Sequence, residues 1–392
     1  MAWVAILPIA SSVVGCEETG RPPLARDAPP APEEPGSLVD PEEPPSPSTI
    51  SPCGAATVAL DFVRPNLYFA IDASGSMTDP IPRGEATYAP GTAPVNRYAA
   101  LSRAIEALLK RIGHRVNYGA TLFPASDATC GGGEEIRELA PGDDVSFAVS
   151  GDEGPLLGTF MFYIKRRILG GGTPVAAALR GLLPSLRGAG PNTYVFLVTD
   201  GGPNCNGQTT CGVDACIPNL ERARLTSTQV CDDSINCCDG NYYGPENCLD
   251  QSGSVEAVRA LADAGVNTFV IGIPGSEAFA ATLDQLALAG GVPRAESPYY
   301  YRVGDAEALV TTVDSLGVTV AMSCDIQLTE APPDPSLVNL FFDGELVPAD
   351  PVDGWAFTGG TSVQVRGAAC ALLQAGEVLR ADVIAGCPVV IQ

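Results

Sequence analysis

The sequence predicts an α/β chain: a doubly wound, mostly parallel sheet flanked by helices, with a small β-rich module at its C-terminal end. Three observations carry this. Leu67-Tyr68-Phe69-Ala70-Ile71, Val195-Phe196-Leu197-Val198 and the stretch from Val266 to Ile273 are apolar runs of strand length without alternation, as expected of strands buried on both faces. Stretches with helical apolar spacing lie between them. After Cys324 the helical spacing gives way to short β-like runs.

The elements follow in order. The Leu67 strand precedes a helix with Leu101, Ile105, Leu108, Leu109 and Ile112 on one stripe; Glu106 and Lys110, four apart, sit on another face. Val116 to Phe123 reads as a strand and Val145 to Val149 as a short one, followed by helices near 155–168 and 174–187. Asn192 to Thr199 is a central strand. Val255, Val258 and Leu261 mark a helix, and Val266 to Ile273 the next buried strand. Leu283, Leu286 and Leu288 belong to a helix before Gly290-Gly291. Tyr299 to Val303 makes a last short strand, and Leu309, Val313 and Leu316 mark the closing helix. In 325–392, Val338 to Phe342, Gly354 to Phe357, Ser362 to Val365 and Val378 to Ile384 read as strands, with Asp343-Gly344 as a hairpin turn.

Three segments carry chemistry. Asp72-Ala73-Ser74-Gly75-Ser76 begins where the first buried run stops, so one carboxylate and two hydroxyls at alternate positions reach the rim of the sheet. Gly170-Gly171-Gly172-Thr173-Pro174 offers a hydroxyl at a helix start, with Pro174 expected at the first helical position. Asp200 ends the second buried run. In such sheets ligands bind outside the carboxyl ends of the strands, which is where both aspartates fall.

In this order the segments resemble the metal-ion-dependent adhesion site of the von Willebrand factor A (vWA) family, over roughly residues 64 to 318 and within a domain spanning 53–324. The resemblance implies that Asp72, Ser74, Ser76, Thr173 and Asp200 surround a divalent ion. The serines would bind directly, Thr173 directly or through water, and the aspartates through water. All-oxygen coordination with retained waters suits Mg²⁺ or Mn²⁺.

Residues 1–16 are an apolar stretch ending in Val13-Val14-Gly15-Cys16, too short to span a bilayer. Small residues before a cysteine resemble the lipobox of bacterial lipoproteins, with Cys16 as the lipidated residue; no Lys or Arg precedes the stretch, unlike the usual basic leader. Glu17, rather than aspartate, follows Cys16, which by the same resemblance points to the outer membrane of the cell envelope. Residues 17–52 read as an extended tether, with ten prolines and eight acidic residues against two arginines between 17 and 50. The formal net charge of −24 argues against nucleic acid as a partner.

Thirteen cysteines fit an exported, disulfide-bonded protein, since zinc-type C-x₂-C pairs are absent. Setting Cys16 aside leaves twelve. Cys205, Cys211, Cys216, Cys231, Cys237, Cys238 and Cys248 crowd one segment, and Cys130, in another loop on the ligand-bearing side, is expected to complete that set. Cys53 with Cys324 would close the domain, and Cys370 with Cys387 would staple the C-terminal module. Residues 204–250 interrupt the strand–helix alternation directly after Asp200 and are too long for an ordinary connector. They form either a wall beside the ion, with Asn241-Tyr242-Tyr243 as a contact triplet, or a stabilised surface excursion.

An enzyme is not expected. His114 is the sole histidine and falls at a helix end away from the ligand set, and H-E-x-x-H, P-loop and G-x-S-x-G motifs are absent. Two readings remain. One is a membrane-anchored, adhesion-type module whose ion is completed by an Asp or Glu carboxylate of a protein partner. The other is a structural or assembly scaffold of the envelope, in which metal only stabilises the fold.

Overall fold

A short strand, β1 (Val58–Leu60), precedes β2 (Asn66–Asp72), whose seven residues are all buried. The computed structural model describes residues 58–60, 63–82, 95–190, 192–375 and 377–386. The expectations for 1–16, Cys16, 17–52, Cys53 and Cys387 lie outside these. A strand buried along its whole length needs cover on both faces, and the elements that follow supply it.

Helix α1 (Arg97–Ile112) opens on Asn96, whose side chain caps the Ala99 amide at 2.7 Å. Then come β3 (Asn117–Phe123), β4 (Glu134–Pro141), α2 (Val145–Ser150), α3 (Pro155–Lys165), α4 (Val175–Leu186) and β5 (Thr193–Thr199). The insertion after β5 holds the single-turn α5 (Ile217–Leu220). It is followed by α6 (Gln251–Asp263), β6 (Val266–Gly272), α7 (Ala280–Ala289), β7 (Tyr301–Arg302) and α8 (Ala306–Ala321).

Strands β4-β3-β2-β5-β6-β7 form one sheet in that order, parallel except for β4. Side-chain alternation divides the core between its faces. Leu67, Phe69, Ile71, Phe196, Val198 and Ile271 pack with residues of α1, α3 and α8; Tyr68, Ala70, Val195, Leu197 and Val270 pack with α4, α6 and α7. Each large apolar side chain so buried contributes about 1.5–3 kcal/mol. This is the doubly wound architecture expected from the sequence.

Two elements between β3 and α3 differ from expectation. Val145–Ser150 is helical rather than extended: Asp144 caps the Ser146 amide at 2.9 Å and Gly151, at φ 77°, ends the turn in the left-handed region. Strand β4 had no apolar signal, because it is a charged edge strand antiparallel to β3.

The C-terminal module comprises β8 (Asp325–Gln327), β9 (Val338–Phe342), β10 (Glu345–Val347), β11 (Trp355–Gly359), β12 (Ser362–Val365), α9 (Gly367–Ala375) and β13 (Ala381–Ala385). The β9–β10 hairpin turns on Asp343 and Gly344, both at positive φ, as expected. The module is not confined to 325–392. Strand β1 pairs antiparallel with β13, in a sheet ordered β1-β13-β9-β10, so both flanks of the doubly wound sheet contribute to it. Leu340, Trp355 and Val363 belong to the same core as α1 and α8.

The outer cysteine pairings also differ. Cys324 is bonded to Cys370, which excludes the expected Cys53–Cys324 and Cys370–Cys387 bridges. The reason is local: the Val365 amide donates to Cys324 O at 2.7 Å, and the unanticipated helix α9 then carries Cys370 back to that point.

Candidate metal centre

The register Ile71↔Val198 between β2 and β5 sets Asp72 and Thr199 side by side at adjacent carboxyl ends, with Asp200 one residue further. After Asp72 the chain bends, and Gly75–Thr78 forms a 3-10 turn that aims Ser74 and Ser76 back over the sheet. Asp72 is fully buried. Its Oδ1 accepts from the Ser74 amide at 2.9 Å, and its Oδ2 from Thr199 Oγ1 at 2.6 Å. Ser74 Oγ and Ser76 Oγ stand 3.1 Å apart. Ser76 Oγ donates to Asp200 Oδ1 at 2.8 Å.

Thr173 reaches this cluster through the glycine loop. The Gly170 amide donates to Ala73 O at 3.0 Å and the Gly75 amide to Gly171 O at 3.1 Å, which locks the loop to the Asp72–Ser76 segment. Gly171 has φ +81°, and a Cβ there would lie 2.5 Å from Thr129 O, so only glycine fits. A Cβ built on Gly201 would lie 3.9 Å from Ser76 Oγ and 4.0 Å from Thr173 Oγ1, so both hydroxyls border the same point. All five expected ligand residues thus converge on the carboxyl end of the sheet. Pro174 directly precedes α4 rather than starting it.

The spacing fits a hard divalent ion. Neighbouring oxygens on an octahedron with ~2.1 Å metal–oxygen bonds stand about 3.0 Å apart, against 3.1 Å for Ser74–Ser76; Asp200, hydrogen-bonded to Ser76 at 2.8 Å, is placed to reach an ion through water. The electrostatics agree. Burial, then the negative charge of Asp200, push the Asp72 carboxyl up to about 7 against the bonds from Thr199 and Ser74. Burial also raises Asp200, opposed by Arg97 and Ser76. Arg97 offsets Asp200, so Asp72 is the buried carboxyl left without a cation among the described residues.

Four neighbours carried no sequence signal. Thr199 fixes Asp72 Oδ2. Arg97 Nη1 donates to Asp200 Oδ2 at 2.6 Å and to Ser76 O at 3.2 Å, and stands 3.5 Å from Asp79 Oδ2. Asn204 grips Thr173 twice, accepting from its amide at 2.6 Å and donating its own amide to Thr173 O at 2.9 Å. Glu221, at the end of α5, has its carboxyl raised by partial desolvation and then by the charge of Asp200, which puts the insertion within electrostatic reach of the site.

The insertion is closed at its base, where the Asp250 amide donates to Pro203 O at 2.7 Å. Disulfides Cys211–Cys248, Cys216–Cys238 and Cys231–Cys237 hold it, and Cys130–Cys205 ties its start to the β3–β4 loop. The sulfurs of Cys211, Cys238 and Cys248 cluster, but all are disulfide-bonded and so are not thiolate ligands. Tyr242 and Tyr243 are partly exposed, the latter donating its hydroxyl to Arg224 O at 3.0 Å. His114 lies near the amino end of β3, its Nε2 3.1 Å from Leu379 O, and is lowered by burial.

No protein-family model and no curated protein matches the chain. Among solved structures it is similar to the pilus adhesin SpaC of Lactobacillus rhamnosus GG (TM-score 0.41, 13% identity), over 83% of this chain and 39% of that one. It is also similar to the vWF domain of the type V pili tip protein Mfa5 of Porphyromonas gingivalis (0.41, 13% identity; 66% of this chain, 96% of that one). A third is the manganese-loaded TRAP protein of Plasmodium vivax (0.35, 17% identity; 66% and 78%). The strand order and the helices on both faces make up the doubly wound architecture that the sequence resemblance implies, with Asp72, Ser74, Ser76, Thr173 and Asp200 at the carboxyl end of its sheet.

Proposed function

We propose that this protein is a divalent-cation-dependent, protein-binding module of adhesion type, working outside the cytoplasm and not as an enzyme. One observation carries the reading: the Ser74 and Ser76 hydroxyls stand at octahedral-edge spacing, 3.1 Å, with Thr173, Asp200 and the buried Asp72 gathered around them. Asp72, Ser74, Ser76, Thr173 and Asp200 would hold Mg²⁺ or Mn²⁺. When bound, such an ion supplies a Lewis-acidic position for an Asp or Glu carboxylate of a partner. The residues themselves orient the site: Thr199 fixes Asp72, Asn204 fixes Thr173, and Arg97 holds Asp200.

The disulfides support export to an oxidising compartment. Anchoring belongs to the lipid expected on Cys16, with residence in the outer membrane; no described helix is long and apolar enough to cross a membrane. The test is binding of an acetylated, amidated Gly-Asp-Gly peptide to the oxidised protein in Mg²⁺ and in EDTA. Binding in Mg²⁺ that disappears in EDTA and in Asp200→Ala supports the reading. Metal binding with no carboxylate affinity would instead favour the scaffold role.

A further inference from the structure

Arg97 sits where helix energetics disfavour it. It is the first residue of α1, whose first turn holds no acid, and a cation there faces the positive end of the helix dipole. Its side chain is nonetheless only 14% exposed, and its Nε is buried without a partner. What holds it is Asp200: Nη1 donates to Oδ2 at 2.6 Å, while Oδ1 faces Ser76 and the hydroxyl cluster. The surroundings are shaped for the guanidinium. Gly275, at φ +113°, passes so close that a Cβ there would lie 2.7 Å from Arg97 Nη1 and 2.8 Å from Asp200 O.

This changes the charge of the pocket. Asp72 and Asp200 alone would match a divalent ion and leave no charge to attract a ligand. With Arg97 against Asp200, the buried groups total a single negative charge. Asp79, its side chain 60% exposed, lies on the rim where water screens it; Glu221 adds the same charge in the wild type and in every Arg97 variant, so it drops out of their comparison.

We propose that Arg97 is a specificity-setting residue: it orients Asp200 and cancels its charge, so that a bound divalent ion keeps excess positive charge and selects an anionic carboxylate over a neutral ligand. The inference rests on the metal-dependent reading above and adds its charge logic. Arg97 would act through Asp200, to which it is bonded, so its effect on the two affinities must be opposite in sign. A merely structural arginine would weaken both together.

The experiment uses the full oxidised chain with Mn²⁺ as the metal probe. The ligand probes are acetylated, amidated Gly-Asp-Gly and its Asn counterpart. Arg97→Gln removes the charge while keeping a polar side chain; Arg97→Met gives the same readout should that variant not fold, and Arg97→Lys retains the charge. By calorimetry the neutral variant is expected to bind Mn²⁺ about tenfold more tightly and, once loaded, the Asp peptide about tenfold more weakly, with its preference over the Asn peptide reduced. Arg97→Lys, which keeps the positive charge beside Asp200, is expected to stay within about threefold of wild type in both. Parallel weakening of both affinities, or no change in either, overturns the proposal. Mn²⁺ binding by wild type without preference for the Asp peptide overturns it while leaving the metal site standing. Absence of Mn²⁺ binding in wild type sinks the metal reading and this inference with it.

Discussion

Cys130 and Cys205 are joined by a disulfide that ties the β3–β4 loop to the start of the insertion, one residue beyond Asn204 and so beside the clamp on Thr173. The covalent link and the two Asn204–Thr173 bonds act on the same few atoms. Cys130→Ser with Cys205→Ser is expected to lower stability by about 2–4 kcal/mol, the usual range for a long closed loop. Metal affinity should fall as well, because Thr173 loses its fixed position. Urea unfolding and metal titration of the double variant check this; unchanged metal affinity would show that the disulfide supports the insertion alone.

Thr199 is the donor that holds Asp72 Oδ2. Thr199→Val keeps the β-branched shape in β5 and removes that hydrogen bond together with the longer one that Thr199 Oγ1 accepts from the Gly201 amide at 3.3 Å. A cost of about 1–3 kcal/mol is expected for the buried acceptor left unmatched, with weaker Mg²⁺ binding. Equal stability of the two proteins in urea would contradict this role.

Gly171 carries the loop that delivers Thr173. Gly171→Ala places a methyl against Thr129 O at a left-handed φ, so a loss of about 1–3 kcal/mol is expected. Gly170, whose added Cβ meets nothing within 4 Å, is the control. Gly170→Ala should leave stability and metal affinity nearly unchanged, and similar losses at both positions would count against the loop geometry.

The acid pair makes stability depend on pH with a definite sign. Asp72 has its folded pKa raised to about 7, against about 3.9 in an unfolded chain. Between these values the folded state binds more protons, so metal-free stability should fall as pH rises from about 4 to about 7 and then level off. Saturating Mg²⁺ favours the ionised form and should remove the decline. Urea melts at several pH values, in EDTA and in Mg²⁺, check this; stability that rises over this window in EDTA would contradict it.

The parts of the fold legible in the sequence were those set by burial on two faces. Strands β2, β5 and β6 announce themselves because their central residues are apolar on both faces, and Asp72 and Asp200 stand out where the runs of β2 and β5 stop. What escaped depends on non-local partners. Strand β4 is charged because it is an edge, and three-residue β1 acquires strand geometry from β13. The apolar Val145–Val149 run looked extended, yet Asp144 and Gly151 cap it as a helix. Arg97 was invisible as a site residue, since nothing local links a helix-start arginine to an aspartate 103 positions away. Cys324 illustrates the same limit: its partner depended on where α9 turns.

The central claim is that Asp72, Ser74, Ser76, Thr173 and Asp200 form a divalent-cation site. Calorimetric titration of Mg²⁺ and Mn²⁺ into the oxidised protein, beside Asp200→Ala, tests it most directly. Saturable one-site binding that Asp200→Ala abolishes, with its fold retained by circular dichroism, is the expected result. Binding of equal strength in both proteins would contradict the claim, because the ion would then be held elsewhere.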